Sequence, residues 1–227
     1  AMDPQQWLLL ELAWEALESS GNAPSSFYGK AVGVFIGIAL VDYELITNQI
    51  RGINLDQYYQ TGVSLSVAAG RISYFLGLEG PAVSMDTACS SSLAACHYAC
   101  GAIRNGECSA ALVGGAGLLL SPENQINFSK AGMLNVEGRC FTFDHRANGY
   151  VRGEGAGMVV LKPMSAAQAD NDTILAVIRG TAVNQDGRSS GLTAPNGPSQ
   201  ERVIQNALAS GGIKAHEVSY IEAHGTG

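Results

Sequence analysis

One cysteine of this chain stands where a side chain could attack a substrate. The run Asp86-Thr87-Ala88-Cys89 follows a short β-prone stretch, Pro81 to Met85, and leads into a helical stretch. A sulfur at such a strand-to-helix turn faces the free N–H groups and positive dipole end of the helix, which favour thiolate over thiol. From the residues alone two readings of Cys89 stand open: a nucleophile, or an inert buried thiol. A cysteine nucleophile usually works with a histidine that the fold brings close. His224 is the best placed. It ends the run Val218-Ser219-Tyr220-Ile221-Glu222-Ala223 and precedes Gly225-Thr226-Gly227, so it projects from a strand end into a tight loop, a usual place for active-site residues. His97 reads as a helix histidine, His216 as part of a polar turn, and His145 has the weaker case.

The elements that must hold these residues follow from periodicity and punctuation. Asp3 suits an N-cap, Pro4 the first helical position and Gln6 the return arm of a capping box, so a helix is predicted to run to about Ser20. Leu9, Leu12, Ala13, Ala16 and Leu17 form its apolar stripe, and Gly21 stops it. Val32 to Ile38 is apolar throughout and reads as a strand buried on both faces. Asp42 to Gly62 is polar and predicted to be surface with helical stretches. Leu65 to Leu76 gives a helix whose Gly70 and small residues predict close contact with a neighbour. Beyond Cys89, the spacing of Leu93, Cys96, Cys100 and Ile103 predicts a helix with that stripe on the core. Further strands are expected at Ala110 to Gly114, Gly155 to Leu161, Ile174 to Val183 and Val218 to Ala223, with a helix from Pro198 to Leu208 ending at Gly211-Gly212. Strands interleaved with helices predict an α/β fold with mostly buried sheets.

Composition narrows the functions open to such a chain. Its 227 residues carry 13 basic and 20 acidic side chains, a net charge of −7, which argues against a nucleic-acid-binding surface. With 46% hydrophobic and 15% charged residues it is globular rather than a disordered tail. No apolar run approaches the roughly 20 residues that cross a bilayer, so no membrane association is expected. The 28 glycines exceed the usual ~7% and serve turns and close packing. Five cysteines without a C-x-x-C pair fit neither a disulfide framework nor a zinc site and predict a reducing, cytoplasmic location without a metal. Cys96, Cys100, Cys108 and Cys140 read as packing residues. The start at Ala1 and the stop at Gly227, inside a glycine-rich run, predict an internal fragment.

The residues around the two candidates carry a resemblance. Asp86-Thr87-Ala88-Cys89-Ser90-Ser91-Ser92 resembles the nucleophile motif, and Glu222-Ala223-His224-Gly225-Thr226-Gly227 the first-histidine motif, of the β-ketoacyl synthase (ketosynthase) domain of type I modular polyketide synthases, and more distantly of fatty-acid ketosynthases. Gly149 to Gly155 (GYVRGEG), Ala182 to Gly187 (AVNQDG) and Gly191 to Gly197 (GLTAPNG) also resemble family signatures. Trp7 and His145-Arg146 depart from the usual pattern without touching the proposed nucleophile.

The resemblance implies a thiolase-like α/β fold in layers α-β-α-β-α, with most of the N-terminal half and the start of the C-terminal half present. It implies a partial domain over 1–227, with the family's second histidine and lysine lying beyond it. The implied activity is that of an acyltransferase of the 3-oxoacyl-carrier-protein synthase type. Cys89 would take an acyl chain from a phosphopantetheine thioester, and a malonyl-type extender on an acyl carrier protein would decarboxylate and attack it. The backbone N–H of Cys89 would help hold the oxyanion, and His224 would hydrogen-bond the extender's thioester oxygen. Thr226 resembles a threonine that binds the pantetheine arm, though a plain turn residue fits it equally. No cofactor is expected on the domain itself, the substrates riding on the carrier's 4′-phosphopantetheine. A homodimer is implied, with Pro81 to Asp86 at its axis, and a neighbouring acyltransferase domain in the same polypeptide. Three alternatives are a non-elongating ketosynthase that loads Cys89 without condensing, a thiolase-type enzyme, and a papain-like hydrolase.

Overall fold

The computed structural model describes residues 2–50 and 56–226. Residues 51–55 of the polar stretch, and Gly227 of the histidine motif, lie outside the described residues. The chain divides into two compact units, one comprising residues 1–162 with 223–227, the other residues 163–222.

The first unit opens with helix α1 (Pro4–Ser19), stopped by Gly21 at φ 80°. Asp3 caps it, its carboxylate accepting from Gln5 N at 2.8 Å. The capping box does not form. Asp3 N–H donates instead to Gly62 O, while the buried Gln6 amide donates to the carbonyls of Gly62 and Ser64 and its oxygen accepts from Arg71 Nε at 2.7 Å. Tertiary partners displace the local cap because Gln6 lies in the interface, where an unpaired amide would be strongly destabilising.

Four strands follow, β1 (Val32–Ile38), β2 (Ala82–Met85), β3 (Ala110–Gly117) and β4 (Gly155–Leu161). They form one mixed sheet in the order β2-β1-β3-β4, with β1 parallel to β2 and β3, and β4 antiparallel to β3. All seven residues of β1 are buried. Its two faces differ: Val32, Val34, Ile36 and Ile38 meet Leu9, Leu17 and Ile72, whereas Phe35 meets Ala95, Ala99 and Ala102. Burial on both faces stops at the middle of the sheet. The edge strand β2 and much of β4 are exposed, so the expectation of mostly buried sheets holds for β1 and the first half of β3 only.

On one face lie α1 and helix α4 (Val67–Leu76). Ala68, Ala69, Ile72 and Leu76 of α4 are buried, while Gly70 is exposed with open space around it, so the helix's close approach comes from the alanines and not the glycine. On the other face lies α5 (Ser91–Arg104). Its core stripe is Ala95, Ala99 and Ala102 with the buried Cys100; Leu93, expected inside, is 76% exposed. Alanines win the inner positions because this helix sits too close to the sheet for larger side chains.

Gly37 and Gly115, cross-strand partners on β1 and β3, explain that closeness. A Cβ on Gly37 would stand 2.5 Å from the backbone of Ser91 and Ser92, and one on Gly115 would stand 3.1 Å from Ser92 Cβ. The first turn of α5 rests in a dent that two missing side chains leave.

The polar stretch after β1 holds helices α2 (Asp42–Gln49) and α3 (Tyr59–Val63). It is not all surface: Asp42 is fully buried, its carboxylate accepting from Leu120 N, Ser121 N and Asn124 Nδ2. Three donors replace the water it loses. Helix α6 (Pro122–Lys130) begins at that junction.

The second unit contains α7 (Met164–Ala169) and α8 (Gly197–Gly211), which ends at the left-handed Gly212. The AVNQDG and GLTAPNG runs cap α8: Asn196 Nδ2 donates to Asp186 O, Asn196 N to Asp186 Oδ2, and Ser199 Oγ to Gln185 O. The strands expected at 174–183 and 218–223 are absent, because a strand needs a ladder and neither segment finds a pairing partner among the described residues. Gly180 instead abuts α8, its Cβ position 2.3 Å from Ala207 O. No helix among the described residues is long and apolar enough to cross a membrane.

Gly37→Ala is expected to destabilise the intact polypeptide by about 1–3 kcal/mol through overpacking, since backbone rather than a flexible side chain must yield. Gly70→Ala, on an open helix surface, should leave stability unchanged or raise it by about 0.5–1 kcal/mol. Thermal unfolding of the two variants side by side checks the contrast.

Candidate active site

Strand β2 ends at Met85, and the chain then turns sharply through Asp86 and Thr87 into a 3-10 turn, Ala88–Ser90, that runs straight into α5. Cys89 occupies the middle of that turn, exposed. The turn is over-determined. Asp86 Oδ1 accepts from Ala88 N at 2.8 Å. The buried Ser91 hydroxyl accepts from Thr87 N at 2.9 Å and donates to Ala88 O at 2.6 Å. Ser90 Oγ donates to Thr87 O at 2.8 Å and pairs with Thr87 Oγ1.

These bonds hold Ala88 at φ 56°, in the left-handed region that costs a residue with a Cβ about 1–2 kcal/mol. Strain of that kind persists only where the surroundings enforce it, and it lies next to the candidate nucleophile. Cys89 stands two residues before the first residue of α5, at the N-terminal end of that helix. The serines that follow Cys89 in sequence are therefore parts of the mount.

The other thiols have different settings. Cys108 is buried and its thiol is pushed up by loss of solvent. On α5 the Cys96 thiol hydrogen-bonds to Cys100, which raises Cys96 and lowers Cys100 to about 7. Cys140 is exposed, its sulfur accepting from Val151 N.

His224 is exposed, and the loop that carries it belongs to the same compact unit as Cys89. Gly225 follows at φ 56°, and its carbonyl accepts from Thr142 Oγ1. A Cβ on Gly225 would meet Thr142 Cγ2 at 3.1 Å, so the loop's turn is seated on Thr142. Among the described residues no hydrogen bond joins Cys89 to His224. Each is presented by its own rigid support. Thr226 is exposed, His145 contacts Asp144 on the surface, and His97 stacks edge-on with Tyr98.

Reading the sequence alone overlooks Thr142, Ser91 and the Gly37–Gly115 pair. Ser91 is signalled only by its place two residues after Cys89. Thr142 has no local signal, since its partner lies 83 residues further on.

Residues 1–167 match the β-ketoacyl synthase N-terminal domain and residues 175–227 the β-ketoacyl synthase C-terminal domain. The chain is 54% identical over 228 residues to a phenolphthiocerol/phthiocerol polyketide synthase of Mycobacterium tuberculosis, covering all of this chain and 10% of that protein. It is 49% identical over 231 residues to an erythronolide synthase of Saccharopolyspora erythraea, covering 7% of it. Among solved structures it is similar to the ketosynthase from module 6 of the bacillaene synthase of Bacillus subtilis, at 42% identity and a TM-score of 0.91, over 99% of this chain and 38% of that one. An oxazolomycin ketosynthase domain of Streptomyces albus gives 40% and 0.93, over 100% and 39%. The chain thus spans a tenth or less of these two curated relatives.

Ser91→Ala leaves the Thr87 N–H without its acceptor and should cost about 1–3 kcal/mol, more than Ser90→Ala on the exposed side of the turn. Comparing the melting temperatures of the two variants tests whether Ser91 holds the turn.

Proposed function

The chain belongs to the β-ketoacyl synthase family, whose ketosynthase domains share its thiolase-like α/β fold, and on that premise we propose that it carries out decarboxylative carbon–carbon bond formation in polyketide assembly. The observation that carries this reading is the pinned turn that presents Cys89 at the start of α5.

In the proposed reaction Cys89 Sγ attacks the carbonyl of an acyl thioester on a carrier protein's phosphopantetheine. The carrier's sulfur leaves and takes up a proton, and the acyl group stays on Cys89. A malonyl-type extender on a carrier protein then loses carbon dioxide, and the electron pair of the broken bond becomes an enolate. Its carbon attacks the acyl carbonyl and expels the Cys89 thiolate, giving a β-ketoacyl thioester two backbone carbons longer. Thiolate suits both steps, as ready nucleophile and as ready leaving group. The Cys89 N–H would hold the oxyanion, a donor whose loss typically costs about 2.7–4 kcal/mol. His224 would stabilise the enolate oxygen, and Thr226 would bind the pantetheine arm. The independent mounting of Cys89 and His224 supports separate roles over a direct acid–base pair.

The same reading takes residues 1–227 as part of one ketosynthase domain in a larger cytoplasmic synthase, with a carrier protein and an acyltransferase domain as partners. It also takes the domain as one half of a homodimer. The edge position and exposure of β2 support the dimer, since an open strand edge invites pairing.

In the intact polypeptide Cys89→Ala should abolish acyl loading, read by mass spectrometry after incubation with an acyl thioester. Retained loading on the variant would sink the assignment. His224→Ala should load normally yet release carbon dioxide from a malonyl thioester roughly 100–1,000-fold more slowly. Equal loss of both steps would point to a Cys89–His224 pair instead.

A further inference from the structure

Within the first unit, between the end of β3, the start of α6 and residues 134–152, lies a cavity of about 480 Å3. That is within the usual size for small-molecule sites. Leu119, Leu134 and Val151 give it apolar walls, and Ser121, Asn135 and Arg152 give it polar ones.

Two of these polar groups have nothing to bind. Ser121 is only 5% exposed, and its buried Oγ has no hydrogen-bond partner among the described residues. It is the N-cap residue of α6, yet its side chain does not cap the helix. Arg152 Nη1 is also buried and has no hydrogen-bond partner among the described residues, while the guanidinium lies 5.1 Å over the Phe128 ring. Buried polar atoms are almost always paired, so Nη1 calls for an acceptor although the Arg152 side chain as a whole is half-buried. Among the described residues no acidic side chain lines the cavity. Glu123, in the first turn of α6, is engaged by Gln49, and the Asn135 side chain is engaged by Glu137 N and Asn148.

Ser121, Arg152 and the N-terminal end of the nine-residue α6 thus border one space, with the Asp42 carboxylate beside it already engaged by Leu120 N, Ser121 N and Asn124 Nδ2. One cation with apolar walls suits a single negative charge on a hydrocarbon stem better than a dianion. We propose that this cavity binds a carboxylate carried on a short apolar stem, held between Arg152 Nη1 and Ser121 Oγ at the N-terminus of α6. The carboxylate comes either from a small acid in solution or from an Asp or Glu side chain of the polypeptide.

The test uses the intact polypeptide, with hexanoate as probe and neutral hexanamide as its control. Calorimetric titration is paired with a crystal structure grown in hexanoate. Saturable hexanoate binding, absent with hexanamide and weakened at least about tenfold by Arg152→Gln and by Ser121→Ala, with the carboxylate at Arg152 and Ser121, supports a soluble acid. Arg152→Lys should retain part of it. No hexanoate binding, with an Asp or Glu side chain seated on both atoms in the crystal, supports the internal source. Water or a carbonyl oxygen on Arg152 Nη1, equal binding of hexanamide, or hexanoate binding that Arg152→Gln does not change overturns the proposal. Circular dichroism of each variant separates lost binding from lost folding.

Discussion

The approach of the α5 N-terminus to the sheet is the constraint on which the rest hangs. Gly37 and Gly115 face each other across β1 and β3, and the backbone of Ser91 and Ser92 fills the space their side chains would take. Without that dent the first turn of α5 would ride higher, and the chain leaving β2 could not close into so short a turn. Ser91 would then lose its position between Thr87 N and Ala88 O. The left-handed Ala88 would be free to relax, and Cys89 would no longer point from one fixed place. A pair of absent side chains in the middle of the sheet thus sets the aim of a sulfur at its edge. The alanine stripe of α5 follows from the same closeness.

The histidine is mounted on a different principle. Its support is a loop clasped by one threonine, with Gly225 taking the conformation that a Cβ would resist. The AVNQDG and GLTAPNG runs, by contrast, direct their polar groups to each other and to the start of α8. Sequence signatures near a candidate site therefore divide into groups that present chemistry and groups that brace the backbone.

Much of this was legible in the residues, and the failures share a cause. The N-cap and stop of α1, the strands β1 and β4, the helix α8 and the turn at Cys89 rest on local signals, and they appear where those signals stand. Gln6, Asp42 and Leu93 defied local reading because each is decided by a neighbour far away in sequence: Gln6 by the carbonyls of residues 62 and 64, Asp42 by the amides of residues 120 and 121, Leu93 by how near α5 lies to the sheet. Residues 174–183 and 218–223 have strand-like composition, but pairing is a property of two segments, and composition speaks for one. The family resemblance was carried by motifs at Cys89 and His224, whereas Thr142 and the glycine pair have no motif to announce them.

The bond from Thr142 to Gly225 also imposes an order in time. It closes a loop of 83 residues that contains the whole second unit. Closing long loops carries an entropic cost that nothing local offsets, and such contacts tend to form late. The turn around Cys89 needs only residues 86–91 and the strands beneath them. During synthesis from the N-terminus the residues of the thiol's mount emerge well before the histidine. The nascent chain thus carries every residue of the nucleophile's turn before it carries the histidine, and the order of synthesis, like that of the proposed chemistry, runs cysteine first.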